Sequence, residues 1–534
     1  MSALDGLGER WDVVVVGGGV NGLGVAREAA AAGYRTLLVE RDDFGAGTTS
    51  RSTRLVHGGL RYLEHGEIAL VREALRDREA LFRRYPHLVK PIRLLLPVYA
   101  GDPRGPWRIR AGLLLYDLLS PGRSVPGHRA VAVRRAVAKE PALAADGLRA
   151  CFEFSDGQVE WPERLCVEVA LEAKALGATL LNHVEATAIQ RCEGRLQVGL
   201  LDTEAGRRAE VETRAVVNVA GPWVDRVLQR GASPETEAPR LIGGTKGTHL
   251  VVRYPDGGPR HPLFTSARSD GRPIFILPWF GLHLIGTTDI RFEGDPSDAR
   301  ADAREVRYLL AEANALLPGA PIGEGDVLYT YCGVRPLPYR PGVNEAAIPR
   351  GHWVVDHGVH GGVEGVFSVV GGKLTTFRSL GKQAVGKLRA RLGTRPPVSP
   401  LPLPTAAPAP DDIPMALWCH LLSLYGPAAA DVVDRMRREP ELASPVCAHQ
   451  PDVLAQVARA ADAEMARTLA DVFLRRTGIG WSACHGLDGA DRAARLLAVR
   501  LGHPVAWAEG QVAAYREELE RTLVPVRRAL LEEA

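Results

Sequence analysis

The chain has 534 residues, of which 46% are hydrophobic and 24% are charged, and its formal net charge is +3. Such a length is more than one hydrophobic core serves, so about two to four domains are expected. The nearly balanced charge argues against a nucleic-acid-binding protein, which concentrates a large basic excess. The seven cysteines include no CxxC pair and no metal-ligand spacing, which indicates a reducing compartment, the cytoplasm, and no metal site. Residues 1–12 lack the apolar region of a signal peptide and no uninterrupted apolar run reaches about 18 residues, so we expect no membrane-crossing segment.

The first predicted elements are a strand, a helix and a second strand between Trp11 and Glu40. Residues 13–16 form an apolar β-branched run, residues 21–32 have helical composition, and residues 34–39 are apolar again. This order predicts one βαβ unit.

The turn after the first strand carries Gly17, Gly19 and Gly22 in a GxGxxG pattern. These glycines allow a tight turn, close approach of a pyrophosphate and close helix–strand packing, and the helix N-terminus attracts phosphate. Glu40 ends the second strand, where an acid binds ribose hydroxyls and disfavours a 2′-phosphate. The pattern therefore predicts a site for FAD or NAD, and not for NADP.

Later elements alternate between parallel and antiparallel types. A strand at 215–219 precedes Gly221, two antiparallel strands flank a turn at 280–282, and a strand at 366–370 precedes a long amphipathic helix. This alternation predicts two interleaved domains. Residues 394–410 are too rich in proline to be helical, and the Ala-, Leu- and Arg-rich chain beyond them predicts a helical domain.

Several segments resemble the FAD-dependent glycerol-3-phosphate dehydrogenases. Between residues 12 and about 392 these are "VVVVGGGVNGLGVAREAAAAGYRTLLVE", "GTTSRSTRLVHGGLRYLEHGE", "NVAGPWVD", "IGTTD", "YCGVRPL" and "GGKLTTFR", and "FLRRTGIGW" farther on is similar to a family segment. The resemblance implies FAD as the cofactor and oxidation of sn-glycerol 3-phosphate to dihydroxyacetone phosphate, with hydride transfer from C2 to flavin N5 and electrons passed to a quinone. The family often has Lys where this chain has Arg54, and Arg replaces a point charge by a rigid planar fork.

The resemblance also implies the residues of the site. The implied catalytic residues are His57, Arg61, Tyr62, His249, Arg335 and Lys373. The implied cofactor-binding residues are Gly17, Gly19, Asn21, Gly22, Glu40, Thr49, Ser50, Thr53, Gly59, Val184, Gly221, Gly372 and Thr375.

The predicted fold is α/β, with a FAD-binding Rossmann-like domain interleaved with an antiparallel-sheet substrate domain, plus a C-terminal helical domain. The predicted boundaries are 1–90, 151–245 and 351–395 for the FAD-binding domain, 91–150 and 246–350 for the substrate-binding or cap domain, 396–410 for the linker and 411–534 for the helical domain.

Three cations are candidates for holding the substrate phosphate. Arg61, Arg335 and Lys373 each lie near a glycine-containing turn, where backbone and fixed cations can both approach an anion. Arg350 is a weaker fourth candidate. The competing interpretation for any one Arg is a surface salt bridge.

The base that takes the C2 hydroxyl proton is either His57 or His249, because a neutral imidazole accepts a proton near pH 7. The alternative for each is a histidine that only hydrogen-bonds the flavin or the backbone. Tyr62 has too high a pKa for a base, about 10, so we expect it to orient the substrate. Gly58 and Gly59 are expected to let the backbone lie close to the isoalloxazine.

The turn "GGKLTT" is expected to face the pyrimidine side of the flavin. Lys373 and the N-terminus of the following helix would stabilise the negative charge of reduced flavin, with residues 375–376 as helix caps. The competing interpretation is a plain glycine turn with a solvent-exposed lysine. The hydroxyls of Thr49, Ser50 and Thr53 are expected to bind the cofactor.

Residues 90–122 combine leucine runs with Trp107 and several arginines, as amphipathic segments at a lipid headgroup interface do. We expect peripheral docking on the inner face of the cell membrane, whereas the competing interpretation is a core helix at 113–119. The expected partners are glycerol 3-phosphate, a membrane quinone, the membrane surface and a second copy of the chain, and nucleic acid is not expected.

Three alternative functions remain open from the residues. One is a glycerol-3-phosphate oxidase that passes electrons to oxygen. Another is a related flavin oxidase of an amine or amino acid, whose carboxylate would also suit Arg335. The third is an FAD-stabilised binding protein without turnover.

Overall fold

The structure is a computed structural model that describes residues 2–120, 122–230, 240–255, 257–360, 362–405 and 408–524. Residues 406–407 of the predicted linker and residues 525–534 of the predicted helical domain lie outside the described residues.

The strands of the described residues are β1 (Arg10–Val16), β2 (Thr36–Val39), β3 (Leu55–Val56), β4 (Val89–Tyr99), β5 (Arg129–Val131), β6 (Leu148–Val159), β7 (Thr179–Leu181), β8 (Val184–Cys192), β9 (Arg195–Asp202), β10 (Arg208–Asn218), β11 (Thr245–Val252), β12 (Leu263–Ser266), β13 (Pro273–Trp279), β14 (Leu282–Gly286), β15 (Ile290–Arg291), β16 (Val327–Arg335), β17 (His352–Asp356) and β18 (Val366–Gly371).

The α-helices of the same residues are α1 (Val20–Ala31), α2 (Ile68–Arg84), α3 (Pro106–Leu118), α4 (Val133–Lys139), α5 (Pro162–Ala175), α6 (Val224–Gln229), α7 (Ala303–Leu316), α8 (Phe377–Leu392), α9 (Met415–Tyr425), α10 (Ala429–Arg438), α11 (Leu454–Ala463), α12 (Leu469–Asp471), α13 (Ala490–Leu501) and α14 (Val505–Thr522).

One compact unit, the first unit, comprises Met1–Ser50, Trp161–Thr245 and Arg335–Arg516. Its sheet has the strand order β17-β18-β10-β1-β2-β7, and the β8–β9 hairpin joins it through β10. β1 pairs in parallel with both β2 and β10, so the predicted βαβ unit is confirmed. Residues 13–16 are buried, and Val14 and Val16 share a core cluster with Val184 and Val198 of the β8–β9 hairpin.

The second unit comprises Arg51–Glu160, Lys246–Val334 and Glu517–Ala534. The main path of its sheet has the order β15-β11-β14-β13-β12-β4-β6-β3, and its longest pairing, β4 with β6, is antiparallel. The predicted antiparallel pair is β13 and β14, whose turn residues Phe280 and Gly281 have φ of 52° and 73°. Two left-handed residues match the strand twist of a two-residue hairpin.

The two units divide the chain at Ser50/Arg51 and Glu160/Trp161, whereas the sequence places boundaries near 90 and 150. The difference arises because β3 pairs with β6, which draws residues 51–90 and 151–160 into the antiparallel sheet. Compact units need not fold independently, so the predicted domain organisation stays a prediction.

The C-terminal helices α9 to α13 pack within the first unit, where a buried ion-pair network ties them to the βαβ region. Arg475 and Arg476 both bind the carboxylate of Asp43, with 2.7 Å from Arg475 Nε. The imidazole Nε2 of His183 lies 2.9 Å from Asp471 Oδ2. All of these side chains are buried or nearly so.

By length and composition, Met415–Arg438 passes the test for a membrane-spanning helix, and 44% of the 18-residue apolar stretch within it is buried. The stretch comprises α9, a short turn at Gly426–Ala428 and α10, and Gly426 has a φ of 52° that ends α9. A buried core helix passes the same test, so this composition is weak evidence for a span.

Candidate functional site

The predicted cofactor residues of the first unit gather at the carboxyl ends of its parallel strands. Gly17 follows β1, Glu40 follows β2, Gly221 lies just beyond β10 and Gly372 follows β18. These strands are neighbours in the sheet, in the order β18-β10-β1-β2. The edge outside the carboxyl ends of the strands is where such sheets bind ligands.

Steric constraints explain two of the glycines in the loop between β1 and α1. A Cβ on Gly17 would lie 2.7 Å from the Val219 carbonyl oxygen, and one on Gly22 would lie 1.9 Å from the Gly17 oxygen. A Cβ on Gly19 would meet only the Thr49 hydroxyl, at 3.4 Å, so the loop leaves room at the start of α1. The N-cap residue Gly19 makes no side-chain cap, and the first turn of α1 has no acidic residue. Apart from the Val20 N–H, which donates to the Thr49 hydroxyl, the N–H groups of this turn are suited to an anion.

The Glu40 carboxylate accepts two backbone hydrogen bonds, from Gly18 at 2.5 Å and from Asp42 at 2.9 Å. Desolvation and the neighbouring Asp42 charge nevertheless raise the pKa of Glu40 to about 7. The backbone N–H of Val184 donates to the Glu40 carbonyl oxygen at 2.7 Å. The predicted ribose-binding acid therefore lies in a site where a further hydroxyl donor would favour its ionised form.

The turn after β18 lies against α1. Gly371 and Gly372 have φ of 81° and 107°, and a Cβ on Gly372 would lie 2.5 Å from Asn21 Nδ2. Thr375 is buried in the same turn. Thr376 occupies the N-cap of α8 but makes no capping hydrogen bond, so the expected capping by this residue is wrong.

Several buried polar atoms of the first unit have no hydrogen-bond partner among the described residues. Asn21 Oδ1, Thr376 Oγ1 and Trp223 Nε1 are three of them, and each lies at or next to one of the glycine turns. Buried polar groups in proteins are nearly always paired. Together with the open helix N-terminus and Glu40, they fit a dinucleotide such as FAD.

The three predicted hydroxyls have different partners. Thr49 Oγ1 accepts the backbone N–H of Val20 at 3.2 Å, which places it at the α1 N-terminus. The buried Ser50 hydroxyl donates to its own turn, at the carbonyl oxygens of Ala46 and Gly47. Thr53 belongs to the second unit, where it contacts a histidine.

That histidine is His249, which is 2% exposed on β11. Its Nε2 lies 2.9 Å from Thr53 Oγ1, and its ring stacks on Tyr331 with a centroid distance of 4.8 Å. A Cβ on Gly286 would lie 2.3 Å from the imidazole. These contacts fix the ring, as a base that must meet one substrate atom requires.

His57 and Tyr62 form a second aromatic pair of the second unit, with centroids 6.4 Å apart. Tyr62 lies over Gly59, which has a φ of 80°, since a Cβ there would be 2.0 Å from the Tyr62 ring. Gly58 donates to the Tyr116 hydroxyl at 2.8 Å. Packing within the second unit thus already requires both glycines, and their approach to the flavin stays a prediction.

Arg61 lies in the same 3-10 turn (Leu60–His65) but lines a different feature, a cavity of about 360 Å³. The apolar lining of this cavity includes Leu60, Leu63, Leu96, Ile109, Leu115 and Phe264. Arg104 and Arg108 line it as well, and Arg104 Nε binds Glu64 at 2.5 Å.

The remaining predicted cations lie in the first unit. Arg335 is the last residue of β16, so its backbone is extended. Its Nη1 lies 3.5 Å from the Thr245 hydroxyl. Lys373 lies between β18 and α8 and is half-buried. Arg350 donates to the Glu345 carbonyl at 3.1 Å and so binds its own loop.

Arg54, the departure from the family pattern, is fully buried in the second unit. Its guanidinium lies 4.4 Å from the Trp279 ring centroid and donates to the Glu160 carbonyl at 2.8 Å. Trp279 Nε1 donates to the same carbonyl at 3.1 Å. A planar, delocalised cation suits this stacked position better than an ammonium does.

Sequence reasoning missed Tyr331, Trp223 and the cavity. Trp223 was inside the motif "NVAGPWVD", and its buried, unpaired indole N–H is the signal that only coordinates reveal. Tyr331 lies in the strand-like segment "VLYTY", where an aromatic residue is typical of the hydrophobic core.

Comparisons with known proteins agree with this geometry. Residues 12–378 match the family model for FAD-dependent oxidoreductases, and residues 368–509 match that for the C-terminal domain of alpha-glycerophosphate oxidase. A glycerol-3-phosphate dehydrogenase of Synechocystis sp. is 40% identical over 96% of this chain and 97% of its own length. A D-erythritol 1-phosphate dehydrogenase of Brucella abortus is 36% identical over 88% of this chain and 94% of its own. The crystal structure of a glycerol-3-phosphate dehydrogenase from Bacillus halodurans, complexed with FAD, shares the fold with a TM-score of 0.73 at 24% identity, over 97% of this chain and 96% of that one.

Proposed function

The chain belongs to the family of FAD-dependent glycerol-3-phosphate dehydrogenases, and from this premise we propose that it oxidises sn-glycerol 3-phosphate to dihydroxyacetone phosphate. The protein is an oxidoreductase with FAD as its cofactor. The observation that carries the proposal is the end-to-end similarity to the Synechocystis enzyme. The dinucleotide site of the first unit supports it, because its buried polar atoms without a partner among the described residues suit the donors and acceptors of FAD.

The reaction divides into tasks that named side chains can perform. FAD, when bound, supplies the acceptor for the C2 hydride. Arg335 and Lys373 offer fixed positive charge for the phosphate dianion. His249 offers a buried, oriented imidazole for the C2 hydroxyl proton, and His57 is the alternative base.

The substrate is tested in an artificial-acceptor assay with a panel of phosphorylated and unphosphorylated polyols and the amino acids glycine and proline. Glycerol 3-phosphate should give the highest kcat/KM, with dihydroxyacetone phosphate as a stoichiometric product. D-erythritol 1-phosphate belongs in the panel because of the 36% identical relative. Faster turnover of that compound, of glycine or of proline would reject the proposed substrate.

Variants of Arg335 and Arg350 can be compared to test whether Arg335 binds the substrate phosphate. Arg335→Leu should raise KM for glycerol 3-phosphate at least about tenfold, because a charged hydrogen bond contributes roughly 1.5–3 kcal/mol. Arg350→Leu is the matched control, since that guanidinium binds its own loop. Equal KM values in both variants, with flavin content retained, would remove Arg335 from the site.

The proposed electron acceptor is a membrane quinone. The cavity of the second unit supports this, because a quinone needs an apolar slot and donors for its two carbonyl oxygens, and this lining provides leucines, Phe264 and arginines. Arg61→Ala distinguishes two roles for that residue. A raised KM for quinone indicates a role in the cavity, and a raised KM for glycerol 3-phosphate indicates phosphate binding.

Peripheral docking on the inner face of the cell membrane is proposed for α3, with the rest of the chain in the cytoplasm. Only Leu113 and Tyr116 of this helix are buried, which contradicts the core-helix interpretation. Trp107 and Leu118 are 81% and 79% exposed, with Leu114 between them at 50%. These residues follow a helical spacing, so they form one apolar stripe beside the exposed Arg108 and Arg110.

Both proposals can be tested on the FAD-loaded protein. Quinone should reoxidise the reduced enzyme much faster than oxygen, and the reverse order would make it an oxidase. The double variant Trp107→Ser/Leu118→Ser should lose flotation with anionic phospholipid vesicles. Val499→Ser/Val505→Ser, which changes exposed apolar residues elsewhere, is the control. Equal flotation of the two variants would contradict docking through α3.

A further inference from the structure

Four side chains of metal-ligand type converge in the C-terminal helical part of the first unit. Cys447 and His449 lie in the loop before α11, and Cys484 and Asp488 lie in the turns before α13. One ligand atom from each lies within 4.8 Å of the other three. The sequence predicts no metal site because the cysteines show no CxxC pair and no metal-ligand spacing, and only the fold brings these two pairs together.

The two segments are held against each other by backbone contacts. Asp488 Oδ2 accepts the N–H of Ala448, the residue between Cys447 and His449, at 2.9 Å. A Cβ on Gly489 would lie 1.9 Å from the Val446 carbonyl oxygen, so no other residue fits there without movement. The fold therefore holds the two segments that carry the four ligands next to each other.

The distances approach those of a tetrahedral centre. Bonds of about 2.0–2.3 Å from a central ion place neighbouring ligand atoms roughly 3.3–3.8 Å apart. His449 Nδ1 and Asp488 Oδ2 are 3.7 Å apart. These two side chains are 63% and 38% exposed, so small rotations can bring their atoms onto an ion.

The sulfur atoms are in a state that can accept a metal. Both cysteines are free thiols. Backbone N–H groups of His449 and Gln450 donate to Cys447, although burial raises the pKa of that thiol to about 11. The Ser482 hydroxyl lies 3.3 Å from Cys484 Sγ. A bound dication deprotonates a coordinating thiol, so binding would release a proton.

A second group of ligand-type side chains shows what a satisfied cluster looks like. Asp43, His183 and Asp471 also lie within 4.8 Å of one another. Arg475 and Arg476 already supply positive charge to these carboxylates. By contrast, the two sulfur atoms and the imidazole of a Cys₂HisAsp set are soft and borderline donors that select a transition metal, and zinc also accepts a carboxylate oxygen.

We propose that Cys447, His449, Cys484 and Asp488 form a binding site for one divalent transition-metal ion of the zinc class. Four protein ligands complete a tetrahedral set and leave no position for substrate, so the ion is structural. It links the loop before α11 to the turn before α13. Bound metal then stabilises the C-terminal helices by mass action.

Cobalt(II) is the probe, because its tetrahedral thiolate complexes absorb at longer wavelengths than flavin. FAD-loaded protein, purified with a reductant and stripped by a chelator, should take up one cobalt ion per chain, seen as the d–d bands of tetrahedral cobalt(II) at wavelengths beyond the flavin absorbance. Zinc should displace the cobalt and raise the thermal midpoint. Cys484→Ser and Asp488→Asn should lose the tetrahedral spectrum and the zinc-dependent shift while retaining flavin.

Cys192→Ser is the matched control, because Cys192 is an exposed cysteine outside the cluster. Its cobalt spectrum and zinc shift should equal those of the unsubstituted protein. Cobalt uptake that Cys484→Ser leaves unchanged, or an octahedral spectrum, would overturn the proposal. So would a Cys447–Cys484 disulfide in protein isolated without reductant, if the reduced protein takes up no cobalt.

Discussion

The hydroxyl of Thr53 lies 2.9 Å from Nε2 of His249, and that imidazole stacks on the Tyr331 ring. A hydroxyl can donate to or accept from an imidazole nitrogen, so Thr53 can fix the tautomer as well as the orientation. His249→Asn should lower kcat about 10²–10⁴-fold, the usual effect of losing a general base. Thr53→Val should lower kcat by a smaller factor.

The readout that separates a base from a structural residue is the pH profile of kcat/KM, measured with flavin content as the folding check. Loss of the acidic limb in His249→Asn identifies the base. His503→Asn, at an exposed position, is the control. If His57→Asn shows the large loss and His249→Asn does not, His57 is the base.

FAD affinity should increase as the pH rises toward 7 and should level off above it. Without cofactor the pKa of Glu40 is about 7, because desolvation and the Asp42 charge disfavour its carboxylate. Ribose hydroxyls donate to the ionised form, so the bound state has a lower pKa and binding releases a proton. Titration of apoprotein with FAD between pH 6 and 8 measures the effect.

Glu40→Gln should bind FAD more weakly at pH 8 and show a flat pH dependence. Glu509→Gln, an exposed change on α14, should keep the slope of the unsubstituted protein. An unchanged slope in Glu40→Gln would show that another group titrates.

The His183–Asp471 pair should make stability fall as the pH rises above neutrality. Burial lowers the pKa of His183, but the charge and hydrogen bond of Asp471 outweigh it and raise the pKa to about 9. The pKa in the folded protein is above the ordinary value, so the stabilisation is present below about pH 6.5 and is lost as the pH passes 9. Its size is at most about 3 kcal/mol.

Thermal midpoints measured between pH 6.5 and 9.5 test this expectation. His183→Gln should have a lower midpoint at pH 6.5 and a shallower decline, whereas His503→Gln should follow the unsubstituted protein. Parallel declines in all three proteins would assign the pH dependence to other groups.

Of two glycine-to-alanine changes, one should reduce the flavin content and the other should stabilise the protein. Gly22→Ala places a Cβ 1.9 Å from the Gly17 oxygen, so it should displace the phosphate-binding loop and reduce flavin content. Gly386→Ala, at an exposed position of α8 with open space around it, should stabilise by about 0.5–1 kcal/mol. Full flavin content in Gly22→Ala would contradict the constraint on this loop.

Local sequence signals were sufficient for several elements. The βαβ unit follows from an apolar run, spaced glycines and a closing acid, which are all within one short segment. The β13–β14 hairpin follows from two apolar strands around a short turn. In both cases neighbouring residues determine the structure, so the pattern suffices.

Features that depend on contacts between distant parts of the chain could not be predicted from the sequence in the same way. The stacking of Arg54 on Trp279 joins two parts of the chain, and nothing in "STRL" indicates it. The motif "HGGLRYLE" predicts that His57, Arg61 and Tyr62 all face the substrate, which stays a prediction, and it does not indicate that Arg61 lines the cavity while Tyr62 pairs with His57. A 3-10 turn points successive side chains in different directions, which residue type alone does not specify.

Anaerobic addition of glycerol 3-phosphate to the FAD-loaded protein tests the central claim most directly. The flavin absorbance should bleach with one equivalent of substrate per flavin, dihydroxyacetone phosphate should appear in equal amount, and glycerol alone should have little effect. A flavin that stays oxidised with glycerol 3-phosphate, or that bleaches equally fast with glycerol or an amino acid, would contradict the account.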